Sequence, residues 1–297
     1  MTEQDQRVPR RTAKERVFTG LQDLYLDGGT TNRRAHVSLL HALCQEPGPY
    51  PRLRSLQLEL TGLSEELILP FLENCNNITT FSPLAQSPVP PFALPDTYLP
   101  NVQVVSCAHR FVDYLLPGRN IKTLQLLRSG MDVNGNSDPP LLTALTAVGT
   151  VCGRTLEELI LRSPIADQEL SAVFDLVQST LLRLRELTIT LECESSGLPG
   201  AVSGFMAFIR LLSMKGLSLP PLLETLTVLV TTPTYRLEFS QIYELVDMRE
   251  LAGNLVGENL TTFVLQYEGE TDICRRDSEG QWVFERRKIL LSGLSSQ

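Results

Sequence analysis

Leu156-Glu157-Glu158-Leu159-Ile160-Leu161 and, 28 residues further on, Leu184-Arg185-Glu186-Leu187-Thr188-Ile189 share one phrase, Leu-x-x-Leu-x-Leu. Its final x-Leu-x-Leu-x alternates inside and outside, as a short strand with one buried face requires. Between the two copies, residues 167–181 change period. Leu170, Val173, Phe174 and Val177 fall on one side of a helix, and Asp167 stands where an N-cap belongs. The unit reads as strand, turn, helix, strand.

Moving outward, the phrase recurs at Leu21/Leu24/Leu26, Leu53/Leu56/Leu58, Val102/Val105/Cys107, Ile121/Leu124/Leu126, Leu223/Leu226/Val228 and Leu260/Phe263/Leu265. A weaker copy, Ile78/Phe81, has Pro83 in the third apolar place. Spacings range from roughly 20 to 40 residues, so helices and insertions vary while the strand keeps its register. A strand–helix unit repeated about nine times predicts an α/β solenoid, with a curved parallel sheet on the concave side and helices on the convex side. Such an architecture points to surface recognition and away from chemistry.

Residues 1–17 are polar and aperiodic and read as a flexible leader; residues 18–297 read as one continuous repeat array. Further helices are expected near 36–43, at 64–72 (opened by Ser64 and limited or kinked by Pro70), at 108–116 before Pro117-Gly118, at 141–151, 205–212 and 242–255. Six prolines between Ser82 and Pro100 exclude a regular helix or central strand there. That stretch reads as an irregular crossing, either a binding loop or a connector over the convex side. Near the C-terminus, residues 263–267, 274–276 and 282–284 around a turn at 277–281 predict a hairpin. In it Trp282, the single tryptophan, caps the apolar end of the last layer.

With 297 residues, 42% hydrophobic, the chain has ample material for a large core, and its formal net charge of -8 disfavours nucleic acid as a partner. The densest basic run, Arg7 to Arg16, is interleaved with acids in the leader, a solvated tail or one that binds an acidic partner. Six widely spaced cysteines read as free buried thiols of a reducing compartment. No apolar h-region opens the chain and no apolar run reaches membrane-spanning length, so a cytoplasmic or nuclear protein without a membrane contact is expected.

Catalytic and metal signatures are not in the pattern. His36 and His41 have the wrong spacing for a shared zinc with Cys44, and Asp132, Asn134 and Asn136 open a calcium-like loop whose sixth and twelfth positions, Ser137 and Thr143, do not continue it. No phosphate loop or nucleophile elbow occurs, and His109 has no nucleophile beside it in sequence. No catalytic residue, cofactor or metal is expected.

The phrase resembles the leucine-rich repeat of the ribonuclease-inhibitor-like superfamily. Cys75-x-x-Ile78-x-x-Phe81 is similar to the cysteine-containing repeats of F-box proteins, and Ile165-Ala166-Asp167-Gln168-Glu169-Leu170 to the helix entry of those repeats. Leu116-Pro117-Gly118-Arg119-Asn120-Ile121 resembles a phrase of fungal F-box-type proteins. The resemblance covers residues 18–282. It implies a leucine-rich-repeat solenoid that binds a protein partner, as the substrate-holding part of an F-box ubiquitin-ligase receptor. It also implies an N-terminal F-box docked on the adaptor subunit of a cullin ligase. The leader is too short and too polar for that module, so adaptor docking finds no support in these residues. The alternative is a stand-alone leucine-rich-repeat scaffold or regulator, for example of a small GTPase.

If the trios point inward, the residues between them line the concave face, on the order of 40 Å long for strands about 4.8 Å apart. The expected protein-binding residues are Asp23, Tyr25, Asp27, Gln57, Glu59, Gln125, Glu158 and Glu186. The face is hydroxyl-rich and acidic in places, which suits a polypeptide with some basic character; equally, threonine is simply a good strand former.

Overall fold

The computed structural model describes residues 20–26, 38–39, 41–43, 50–60, 65–84, 94–127, 139–165, 167–192, 207–212, 217–231, 248–267 and 270–288. The fold is mixed α/β, built on a large, mostly parallel sheet of eleven strands. In chain order the first seven strands are β1 (Asp23–Leu26), β2 (Ser55–Glu59), β3 (Thr80–Leu84), β4 (Val104–Ala108), β5 (Thr123–Leu127), β6 (Glu158–Ile165) and β7 (Glu186–Glu192). They lie side by side in that order and continue through β9 (Thr225–Thr231) and β11 (Thr262–Tyr267). β8 (Leu217–Ser218) and β10 (Leu255–Val256) form a separate parallel pair that the apolar pattern does not announce.

Each phrase sits at the same place in its strand. Leu24 is opposite Leu56, Leu56 opposite Phe81, Phe81 opposite Val105, Val105 opposite Leu124, Leu124 opposite Leu159, Leu159 opposite Leu187, Leu187 opposite Leu226 and Leu226 opposite Phe263. From Leu56 to Phe263 these residues are buried, and each leucine so covered contributes about 2 kcal/mol. The turn before the strand repeats as well. The N–H of Leu53, Ile78, Val102, Leu184, Leu223 and Leu260 each donates to the carbonyl three residues earlier. Just beyond, one carbonyl per unit (Gln22, Arg54, Thr79, Gln103, Lys122, Glu157, Arg185, Glu224) accepts two consecutive N–H groups from the next unit. Backbone donors at the starts of β2 to β7, β9 and β11 are thereby satisfied in the same way.

Helices fill the other segments: α1 (Glu65–Glu73), α2 (Val112–Leu115), α3 (Leu141–Cys152), α4 (Asp167–Thr180) and α5 (Met248–Gly253). Residues 38–39, 41–43 and 207–212 are also helical. α1 contains Pro70 and ends at Glu73, within a residue of the 64–72 expected. α4 begins at Asp167, the residue read as its N-cap. Leu170, Val173, Phe174 and Val177 form the buried stripe as read. α5 ends at Gly253, and Leu255, expected to be helical, is already in β10.

Pro83 is a further correction: it lies inside β3, opposite Leu58. The N–H of Thr80 and the carbonyl of Leu84 bond toward β2, so alternation turns the proline's donorless nitrogen toward β4. Pairing of β3 with β4 accordingly stops at Phe81–Val105. Residues 94–100 are not merely a surface crossing, because Leu94 and Leu99 are buried in the core. The expected hairpin is present: β12 (Glu270–Arg276) returns antiparallel on β11, and β13 (Trp282–Lys288) pairs antiparallel with β12. Asp277 Oδ1 accepts the N–H groups of Glu279 and Gln281, and Gly280 takes a φ of 80°, which suits glycine.

Candidate functional site

Between the buried trios, alternate residues of the sheet reach its second face in straight rows. One row runs Asp23, Ser55, Thr80, Val104, Thr123, Glu158, Glu186, Thr225, Thr262 and ends at Arg275; the next runs Tyr25, Gln57, Ser82, Ser106, Gln125, Ile160, Thr188, Thr227, Val264. These side chains are half-buried or exposed, and Tyr25 is 63% exposed. The structure thus brings six of the expected residues, Asp23, Tyr25, Gln57, Gln125, Glu158 and Glu186, onto one continuous surface. Asp27 lies outside the described residues. Glu59 departs from expectation: it has the same strand parity, yet only 5% of it is accessible. Ala108 and Thr190, at the same level of their strands, are also buried, whereas Leu84, Leu127, Leu229 and Gln266 there are half-buried, so above its first two rows the face is closed at β2, β4 and β7 and partly open elsewhere.

Charges along the strand starts are used internally. Lys122 Nζ lies 3.6 Å from Glu157 Oε1, and Arg185 Nη1 lies 3.1 Å from Glu224 Oε1. Both pairs are about half exposed and contribute less than about 1 kcal/mol each. One strand position further, Glu158 and Glu186 sit directly opposite each other. Thr123 Oγ1 donates to Glu158 Oε2 at 3.0 Å, while the row neighbour on the other side of Glu186 is the neutral Thr225. Two like charges in register on adjacent strands are mutually unfavourable.

At the end of the sheet the hairpin is rich in arginine. Arg287 and Arg275 both reach Glu285, at 2.8 and 3.5 Å, and the hydrogen bond from Arg287 holds the Glu285 carboxyl below its ordinary range. Opposite Leu265, where an apolar residue is the rule, stands Asp272, 0% exposed. Arg286 donates to both its carboxylate oxygens, at 3.0 and 3.3 Å, which raises the guanidinium's pKa further. Arg276 and Arg286 lie over the rings of Trp282 and Phe284, which pack on the core, so the tryptophan sits where a cap was expected.

Two polar centres escaped the sequence reading. Arg119 is buried and donates to the carbonyls of Leu94, Pro95, Tyr98, Leu115 and Pro117, at 2.7–3.5 Å. Burial lowers its pKa and the charge of Asp96 partly offsets this. His109 does have a hydroxyl beside it, contrary to expectation. Ser163 Oγ is 3.0 Å from Nε2, and Pro139 O is 3.2 Å from Nδ1. A carbonyl only accepts, so Nδ1 carries a proton. Ser163 reaches the ring because β6 carries a register shift between Leu161 and Pro164. At 4% and 2% exposure, the pair joins three segments inside the protein and offers nothing to solvent.

The side chains of Cys75, Cys107, Cys152 and Cys274 are buried thiols; Cys44 and Cys193 lie outside the described residues, as do His36 and the 132–136 loop. Among the described residues, no three His, Cys, Asp or Glu side chains gather to hold a metal ion, and no helix is long and apolar enough to cross a membrane. Compared with known proteins, the chain matches no protein-family model and none of the curated proteins.

Proposed function

We propose that this chain is a non-catalytic protein-recognition solenoid of leucine-rich-repeat type, its sheet curved and its two open rows forming the concave surface that holds a polypeptide partner. One observation carries the reading. Strand order follows chain order, with the apolar trios in register, so the residues between them join into a single surface and do not end in separate pockets. The hydroxyl and amide side chains on that surface suit hydrogen bonding to a polypeptide. Its acids, with no run of basic and aromatic residues, do not suit a nucleic acid.

A photo-crosslinking amino acid placed at Gln125 or Thr188 tests this. Both positions should capture a polypeptide in cells, and the exposed helix position Thr146 should not. Equal capture at all three would refute the reading. A role as the substrate arm of a cullin ubiquitin ligase, as against a stand-alone scaffold or regulator, is separated by one further measurement. Co-purification of the ligase adaptor subunit with the full gene product supports the first, and its absence supports the second.

A further inference from the structure

Resting on that reading, we infer that the partner segment lies across the strands, not along one, and sets a lysine or arginine side chain over the Glu158–Glu186 rung. The direction follows from what is open. Of the two strands that carry the rung, β7 closes at Thr190, 95% covered, and β6 leads past Ile160 to the exposed cation Arg162, so neither offers a basic segment a path beyond two residues. Across the strands the half-buried rows continue without a closed position, from Thr123 and Gln125 on β5, through Glu158 and Ile160 on β6, to Thr225 and Thr227 on β9.

The charge follows from what is already committed. The nearest cations in register, Lys122 and Arg185, turn to Glu157 and Glu224 at the strand starts. Every other side chain in the two open rows from β5 to β9 is uncharged: Thr123, Gln125, Ile160, Thr188, Thr225 and Thr227. A neutral field holding two carboxylates on adjacent strands is complementary to a single cation, which would relieve their repulsion as it bound. Ile160, beside the rung, supplies apolar surface for the aliphatic stem of such a side chain.

The test uses a displayed library of random twelve-residue peptides selected against the full chain. Peptides should emerge with lysine or arginine. Their affinity should fall about tenfold for the E158Q/E186Q double variant, the size of one charge-assisted hydrogen bond. They should also be blocked by Thr188→Arg, which fills the middle of the path. The glutamine variant removes repulsion without changing shape, so its melting temperature should equal or exceed that of the parent. Peptides blocked by Thr188→Arg but indifferent to E158Q/E186Q would overturn this inference and leave sheet-face recognition standing. Peptides indifferent to both variants, or a library that yields none, would overturn both.

Discussion

Arg119 shows how much one side chain decides in this fold. Its planar fork offers five N–H donors, and five backbone carbonyls from two stretches, residues 94–98 and 115–117, converge on it. Gly118 takes φ +73° beside it, where an added Cβ would meet the side chain of Asp96 at 2.7 Å. Arg119→Met keeps volume but strands those carbonyls, and it should destabilise by about 3–5 kcal/mol in urea unfolding. Arg119→Lys should recover only part, because an ammonium cannot reproduce the fork. In sequence this residue was merely the arginine of Leu-Pro-Gly-Arg-Asn. Its partners at 94–98 lie 21 to 25 positions away, and no periodicity reports such a contact. The same holds for His109 and Ser163, 54 positions apart. Cys152 carries a second residue-level consequence. Burial pushes its thiol up to about 12. The native protein therefore keeps the proton through a range where the unfolded chain, with a thiol pKa near about 8.5, releases it. A raised acid pKa favours folding below the unfolded value, so stability should fall as pH rises from about 9 toward 12. Urea midpoints at pH 8 and pH 10 should differ less in Cys152→Ala than in the parent.

At the scale of elements, α3 and α4 approach each other more closely than ordinary side chains allow. A Cβ on Gly149 would meet Thr180 Cβ at 2.7 Å, and one on Gly153 would meet the Thr180 carbonyl oxygen at 2.5 Å. In an exposed helix Gly→Ala gains about 1 kcal/mol. Here Gly149→Ala should lose about 1–3 kcal/mol through overpacking. Adding Thr180→Gly should restore part of that loss at Gly149. It should restore nothing for Gly153→Ala, where the clash is with backbone; thermal melts of the single and double variants give the comparison. The helix expected at 141–151 was legible because its residues are small and apolar in sequence, and packing distance follows side-chain size. Strand positions were legible for a related reason: a period of two assigns every residue a face, and the trios repeat it. Strand ends were not. β6 runs to Ile165, past its phrase, and β3 continues through Pro83 because the proline's missing donor faces the side on which pairing has already ended. Such exceptions depend on which neighbour a strand lacks, and a single strand's residues do not encode that.

For the molecule as a whole, strands adjacent in the chain are adjacent in the sheet, so each unit is supported chiefly by the one before and the one after. Stability in such an array is close to a sum of local terms and nearest-neighbour interfaces. The two ends then matter differently from the middle. At the C-terminal end, β12 and β13 cover β11 with a rung that breaks the apolar rule: Asp272, buried beside Leu265 and neutralised by Arg286. Beyond it the half-buried Trp282 and Phe284 lie under arginines, presenting charge outward where another leucine layer would otherwise be needed. Arg286, Arg287 and Glu285 also make β13 a charged edge, which discourages pairing with another sheet. Ending the chain after Tyr267 removes both strands and bares one side of Phe263 and Leu265. Hydrogen exchange read by mass spectrometry should then show protection lost first in β11, then in β9. β2 to β5, several interfaces away, should keep nearly the parent's protection, and the truncated protein should self-associate at concentrations where the parent does not. A uniform drop across all strands would mean that the sheet melts as one body, and that the hairpin stabilises every unit at once.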